Sequence, residues 1–253
     1  MRFVPLAVLA LIAAPAAAES AFDGFYIGAV AGTQVHSGKN APTLGTAGFL
    51  GLPVTIAPRS LRMGDLARDG AFQGGLVTGY NLSSGSFVYG VEADLIFGNI
   101  TRSDAFLGAA IPDLAPGGLT TSASQRLGTR GSLRARAGFG LGENALIYAT
   151  GGLAVGDVRG AAEVVSNTAA DVAWTGSRDQ TRWGWTAGAG AEFKLTSAIA
   201  LRAEYLYTDL GRQQVDAIGN ATVRSVAALN GVDYSVGLPN NFGAVRAGIT
   251  VRF

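Results

Sequence analysis

Eight stretches of this chain alternate apolar side chains with small or charged ones, with a period of two. FYIGAVAG sets Phe25, Ile27, Ala29 and Ala31 on one face. AFQGGLVTGYNL does the same with Phe72, Leu76, Tyr80 and Leu82, and SFVYGVEADLIFG with Phe87, Tyr89, Val91, Ala93, Leu95 and Phe97. GSLRARAGFGL alternates Leu133, Ala135, Ala137 and Phe139 with arginine and glycine, and ALIYATGGLAVG keeps Ile147, Leu153 and Val155 in phase. TRWGWTAGAGAEFKL presents Trp183, Trp185, Ala187, Ala189, Phe193 and Leu195; IALRAEYLY presents Leu201, Ala203, Tyr205 and Tyr207. AVRAGITVRF closes the set with Val245, Ala247, Ile249, Val251 and Phe253. Period-two alternation predicts β-strands with two unlike faces.

The charges within these strands share one face. Glu92, Asp94, Arg134, Arg136, Arg182, Glu192, Lys194, Arg202, Glu204, Arg246 and Arg252 all fall opposite the apolar residues. Asp23, Asp157 and Asp209 break the phase, which predicts a bulge or an interface at each. Alternation alone does not choose which face points inward, since a water-soluble barrel would bury the apolar one. Two features choose. The apolar face carries aromatics toward segment ends, Phe25, Tyr80, Phe87, Phe97, Trp183, Trp185 and Tyr207, as the interface girdles of a membrane barrel do. The charged face is rich in glycine (Gly28, Gly75, Gly79, Gly138, Gly190 among others), which weakens a solvated strand but makes room in a narrow lumen.

Connection lengths alternate too. Ser83–Gly85, Gly142–Asn144 and Thr196–Ala198 are short, whereas Thr33–Gly70, Thr101–Gly128, Val158–Gln180 and Gly211–Asn241 are long. The predicted fold is all-β: an eight-stranded antiparallel up-and-down transmembrane barrel, with short periplasmic turns and four long extracellular loops.

Residues 1–18 read as a cleaved signal peptide, with Arg2, an apolar run and an Ala16-x-Ala18 end, so the barrel domain is expected over 19–253. Without Arg2 the chain has 18 basic and 18 acidic residues, and this balance offers nothing to a nucleic acid. The chain has no cysteine, which excludes disulfides and thiolate metal sites.

The segments GFYIGAVAG, GGLVTGYNL, FVYGVEADL, LRARAGF, YATGGLAVG, GWTAGAGAEF, LRAEYLYTDLG and RAGITVRF resemble the outer-membrane immunogenic or "porin family" proteins of alphaproteobacteria. These are small eight-stranded barrels akin to the OmpA transmembrane domain and to opacity-type surface antigens. The resemblance covers the strands and not the loops. It implies a place in the outer membrane of a Gram-negative bacterium, among outer-membrane lipid and lipopolysaccharide. It further implies delivery by periplasmic chaperones and the barrel-assembly machinery, with Ile249, Val251 and Phe253 as the terminal sorting signal. The family's implied role is structural and antigenic, with adhesion or haem uptake ascribed to some members.

Candidate chemistry is sparse. The single histidine, His36, falls in the first long connection and gives neither a haem ligand set nor a serine-hydrolase pairing, so no enzyme and no cofactor are expected. The glycine patterns of GGLAVG and GAGAEF sit inside strands and lack the helix and Lys-Ser/Thr of a phosphate loop. What remains is the lumen: seven basic against four acidic side chains, predicted to pack as an ion-paired plug that fills an eight-stranded interior. The alternative is a weakly anion-selective pore or uptake channel. The loops name no ligand.

Overall fold

A computed structural model of the chain describes residues 22–36, 40–45, 60–62, 72–107, 117–169, 171–227 and 229–253. The expected signal peptide, 1–18, lies outside the described residues. Eight antiparallel strands close into a ring: β1 (Gly24–His36), β4 (Phe72–Ser84), β5 (Phe87–Phe97), β7 (Leu119–Leu141), β8 (Ala145–Ser166), β9 (Ala173–Lys194), β10 (Ile199–Gly219) and β11 (Tyr234–Arg252). β11 returns to β1 with Ile27 opposite Val251 and Ala31 opposite Ala247, so the membrane ring has no free edge. Three shorter strands lie at the long-connection end. β2 (Asn40–Gly45) pairs with the start of β11, β3 (Ser60–Arg62) pairs with β2, and β6 (Ile100–Leu107) pairs with β7.

The faces follow the alternation. Leu76, Val91, Leu133, Leu153, Trp183, Leu201 and Ile249 are exposed on the outside, while Glu92, Arg134, Arg136, Glu192, Arg202 and Glu204 are buried inside. An apolar exterior around a charged interior suits a ring set in hydrocarbon.

The long connections are a correction. Of the expected loop Thr101–Gly128, residues 101–107 belong to β6 and 119–128 to β7; Val158–Gln180 is mostly β8 and β9, and Gly211–Asn241 holds the ends of β10 and β11 with a short helix, α1 (Ala221–Ser225), between. His36, expected in a loop, ends β1, its backbone opposite Gly243. Strands β7 to β10 run for 21 to 23 residues, about twice the 9–11 that cross a bilayer. The surplus forms a head that rises out of the membrane.

The head reverses the sense of the barrel. In β8 and β9 the outward residues change from Leu153, Val155 and Trp183 to Asp157, Arg159, Asp179 and Thr181, while Val158, Ala162, Val164 and Trp174 are buried inside. In β7 and β10 a bulge makes the change. One extra residue lies between Leu127 and Arg130, and another between Asp209 and Arg212, so odd-numbered residues that faced lipid below the bulge face inward above it. Gly211 adopts φ +75 at the second bulge, a left-handed conformation that favours glycine, and its N–H donates to Asp209 Oδ1 at 2.8 Å. Two of the three phase-breaking acids therefore mark the upper membrane edge, where Asp157 also accepts from Thr181 Oγ1 at 2.8 Å. The third, Asp23, accepts from Ser83 Oγ at 2.6 Å at the opposite end.

Candidate functional site: a filled lumen under a closed head

The lumen at mid-membrane is packed with ion pairs from five strands. Arg202 of β10 grips Glu92 of β5 with both terminal nitrogens, Nη1 to Oε2 at 2.7 Å and Nη2 to Oε1 at 3.0 Å. Arg134 reaches Glu92, Glu204 at 2.8 Å and Asp94 at 3.1 Å. Arg246 joins Asp94 at 2.8 Å to Glu204 at 2.7 Å. Arg136 stands 2.8 Å from Glu192, and Arg252 approaches the same carboxylate at 3.5 Å. A buried charge is tolerated only when paired, and stripping one partner from such a network costs about 3–5 kcal/mol.

Two tyrosines lock the arginines. Tyr26 donates to Glu92 Oε2 at 2.6 Å and receives from Arg136 Nη1 at 2.9 Å; Tyr148 receives from Arg202 Nη2 at 3.0 Å. The Arg136 guanidinium lies over the Tyr148 ring, 3.9 Å from its centroid. Each tyrosine rests on a lumenal glycine, Tyr26 on Gly79 and Tyr148 on Gly190, where an added Cβ would strike the phenol. The glycines of the charged face make room for these rings.

Of the eleven lumen charges read from the sequence, nine join this network. Arg182 and Lys194 do not. Arg182 sits at the upper membrane edge, its Nε donating to Leu210 O at 2.8 Å, and Lys194 lies half-buried at the lower rim, 5.7 Å from the centre of the Phe22 ring. Three inward residues escaped the pattern. Phe22 precedes the first strand and buries itself against Val88, Leu146 and Tyr148, closing the lower end. Arg102 lies in the connection read as loop and Arg130 just past its end, and both are buried inside above the plug. The signal for Tyr26 was present, as the one bulky residue on the glycine face of FYIGAVAG.

The upper end is closed by an apolar core. Leu119, Val164, Trp174, Val215, Val223, Val232, Val236 and Leu238 pack together inside the head. Residues 220–227 and 229–233 close its top. Asn220 caps α1, its Oδ1 accepting from Val223 N at 3.0 Å, and Trp174 Nε1 donates to Val232 O at 2.8 Å. The Trp174 and Tyr234 rings meet edge to face at 5.2 Å, and burial pushes the Tyr234 phenol up to about 12.

The aromatics read as interface anchors lie on the outer face. Phe25, Phe87, Phe97, Trp183 and Trp185 are exposed and Tyr80 and Tyr207 half-buried; Trp185 packs on Tyr207 at 5.5 Å. Ile249, Val251 and Phe253 point outward, and the Phe253 N–H donates to Phe25 O at 2.9 Å.

Residues 4–238 match the family model of the outer membrane protein beta-barrel domain. The chain belongs to that family. Among its relatives, the 31 kDa outer-membrane immunogenic protein of Brucella melitensis biotype 1 is 34% identical over 186 residues, 73% of this chain and 67% of that protein. The 22 kDa outer membrane protein of Rhizobium leguminosarum bv. viciae is 34% identical over 194 residues, 76% of this chain and 72% of that one. The crystal structure of the outer membrane protein OprG from Pseudomonas aeruginosa is similar at 16% identity and a TM-score of 0.48, covering 91% of this chain and 96% of that chain. This outer-membrane barrel thus resides in the outer membrane of a Gram-negative cell, its apolar band in contact with lipid.

Proposed function

We propose that this barrel is a structural and antigenic surface protein, which displays a rigid head outside the cell and passes nothing through its lumen. The observation that carries the reading is closure at three successive levels: Phe22 below, the Glu92–Arg202 network at mid-membrane, and the Trp174 core above. The word "immunogenic" in the name of the Brucella relative supports an antigenic role for the exposed head. Lipopolysaccharide is the neighbour at the outer leaflet, and periplasmic chaperones and the barrel-assembly machinery are the partners of biogenesis. The reading includes no catalysis. Each of the four lumenal carboxylates is engaged by at least one guanidinium, which leaves none free for acid–base work.

A weakly anion-selective pore is the second reading, favoured by the surplus of buried arginine in the upper lumen. Conductance of the purified barrel in planar lipid bilayers separates the two. The plugged reading expects no discrete channel steps; reproducible steps with anion preference in the unmodified protein would overturn it.

A further inference from the structure

A cavity of about 50 Å³ lies between the ion-pair network and the head core. Arg246 and Asp94 stand at its floor and Gln73 and Arg130 line its wall, with Ile96, Leu206 and Phe242 supplying apolar surface. The Asp94 carboxylate is already committed, to Arg246 at 2.8 Å, Arg134 at 3.1 Å and the Ser132 hydroxyl at 2.9 Å. Arg130 has no carboxylate within ion-pairing distance among the described residues. One of its nitrogens donates to Gly128 O at 2.9 Å and another to Gln73 Oε1, while its guanidinium lies 5.2 Å from the Phe242 ring centre. That contact fixes the Gln73 amide, since its oxygen must face Arg130. Its Nε2 therefore faces away with no partner, on a side chain more than nine-tenths buried. Arg246 Nη2 makes no hydrogen bond, standing 3.9 Å from Glu92 Oε1.

The surroundings repeat the same lack. Arg102, buried above this level and outside the membrane ring, has Nε and Nη2 unpartnered, and Gln34 has an unpartnered amide. Burial and the nearby Arg130 charge lower Arg102 to about 10. Unpaired buried donors are expensive, and every one of these nitrogens is a donor. Arg102 stands on β6, which has left β5 and hydrogen-bonds only β7 among the described residues, and Gln34 stands on β1 opposite Ala244 of β11.

We propose that this cavity binds a short-chain carboxylate, its oxygens on Arg130 and Gln73 Nε2 and its alkyl end against Phe242, Ile96 and Leu206. The proposal concerns binding and not passage, so it holds whether or not the lumen conducts. Its test is calorimetric titration of the detergent-refolded, full-length mature barrel with propionate, with chloride and sulfate at equal ionic strength as comparisons. Saturable one-to-one binding of propionate is expected, with chloride and sulfate much weaker. Gln73→Leu, which removes the donor and keeps the volume, should weaken propionate about tenfold. Arg130→Gln should abolish binding, and both variants should keep the folded gel mobility that reports an intact barrel. Absence of saturable binding to the unmodified protein, equal binding of chloride, or unchanged affinity in a folded Gln73→Leu barrel would each overturn the proposal.

Discussion

The hydroxyl of Tyr26 donates to Glu92 Oε2 at 2.6 Å, reaching past β4 to join strands that do not touch in the ring. Glu92 gathers three arginines and this phenol at one point, so it is the hub of the plug. Removing the hub and removing the phenol should differ in size. Glu92→Gln should lower unfolding stability in lipid by about 3–5 kcal/mol, because it strands buried arginines. Tyr26→Phe loses the hydrogen bonds to Glu92 and from Arg136 but strands no charge, since Arg136 keeps Glu192, and should cost about 1.5–3 kcal/mol. Urea titration followed by the heat-modifiable gel shift measures both; equal, negligible losses would mean that the interior is solvated.

The bulge in β10 sets which residues enter the head core. Gly211→Val opposes the left-handed φ +75 of the bulge, so it should iron the bulge out, restore strict alternation and turn Val215 and Ala217 outward, since a one-residue slip flips every side chain beyond it. The membrane ring lies on the other side of the bulge. Limited proteolysis is therefore expected to trim the head of the variant while leaving a heat-modifiable core. A head as protease-resistant as that of the unmodified protein would contradict the bulge's role.

The strand faces were legible in the sequence because lipid imposes one rule on every residue of a membrane strand. Phe87, Tyr89 and Val91 alternate with Val88, Gly90 and Glu92 whatever their neighbours do. The plug was legible for the same reason, as Glu92, Arg134 and Arg202 stand alone on a face of small residues. The head was not. Above the membrane edge the alternation persists with its meaning reversed, and in β7 and β10 an extra residue also shifts its phase, so Leu119, Ala123 and Leu127 read as noise in a loop. Arg102 is lost with that segment, and Arg130 falls in the gap between it and the strand read from Gly131. Arg182 was assigned to the plug by phase alone, yet it sits one level too high to reach a lumenal carboxylate. Phase gives a face; it does not give a depth.

Tyr234 ties head stability to alkaline pH. Its folded value of about 12 lies above the ordinary tyrosine value near 10, so the folded state holds the proton more firmly. The stability this represents is complete below pH 10 and lost as pH rises toward 12. The unmodified protein should lose Trp174 near-ultraviolet dichroism over that window, and Tyr234→Phe should keep it further. Identical alkaline profiles would remove Tyr234 from the account.

Phe253 separates folding from delivery. Its ring lies 6.2 Å from that of Phe25 on the lipid side, and burying a phenylalanine contributes only about 1.5–3 kcal/mol. Deleting it should leave refolding into liposomes nearly intact. In cells, the same deletion should leave the chain in the periplasm if the assembly machinery reads that residue. Normal outer-membrane delivery of the deletion would remove the sorting role.

Single strands pass from lipid-facing to water-facing along their length, as ordered structure throughout. The chain has no cysteine, so spin labels at single introduced cysteines can be read along the outward face of β9 in liposomes. The positions are Ala189, Trp185, Thr181 and Ser177, two at lipid level and two in the head. Oxygen should reach the labels at 189 and 185 and a water-soluble nickel chelate those at 181 and 177, with strand-like low mobility at all four. Lipid-like accessibility at 177, or the fast, loop-like motion of a free connection there, would contradict the claim.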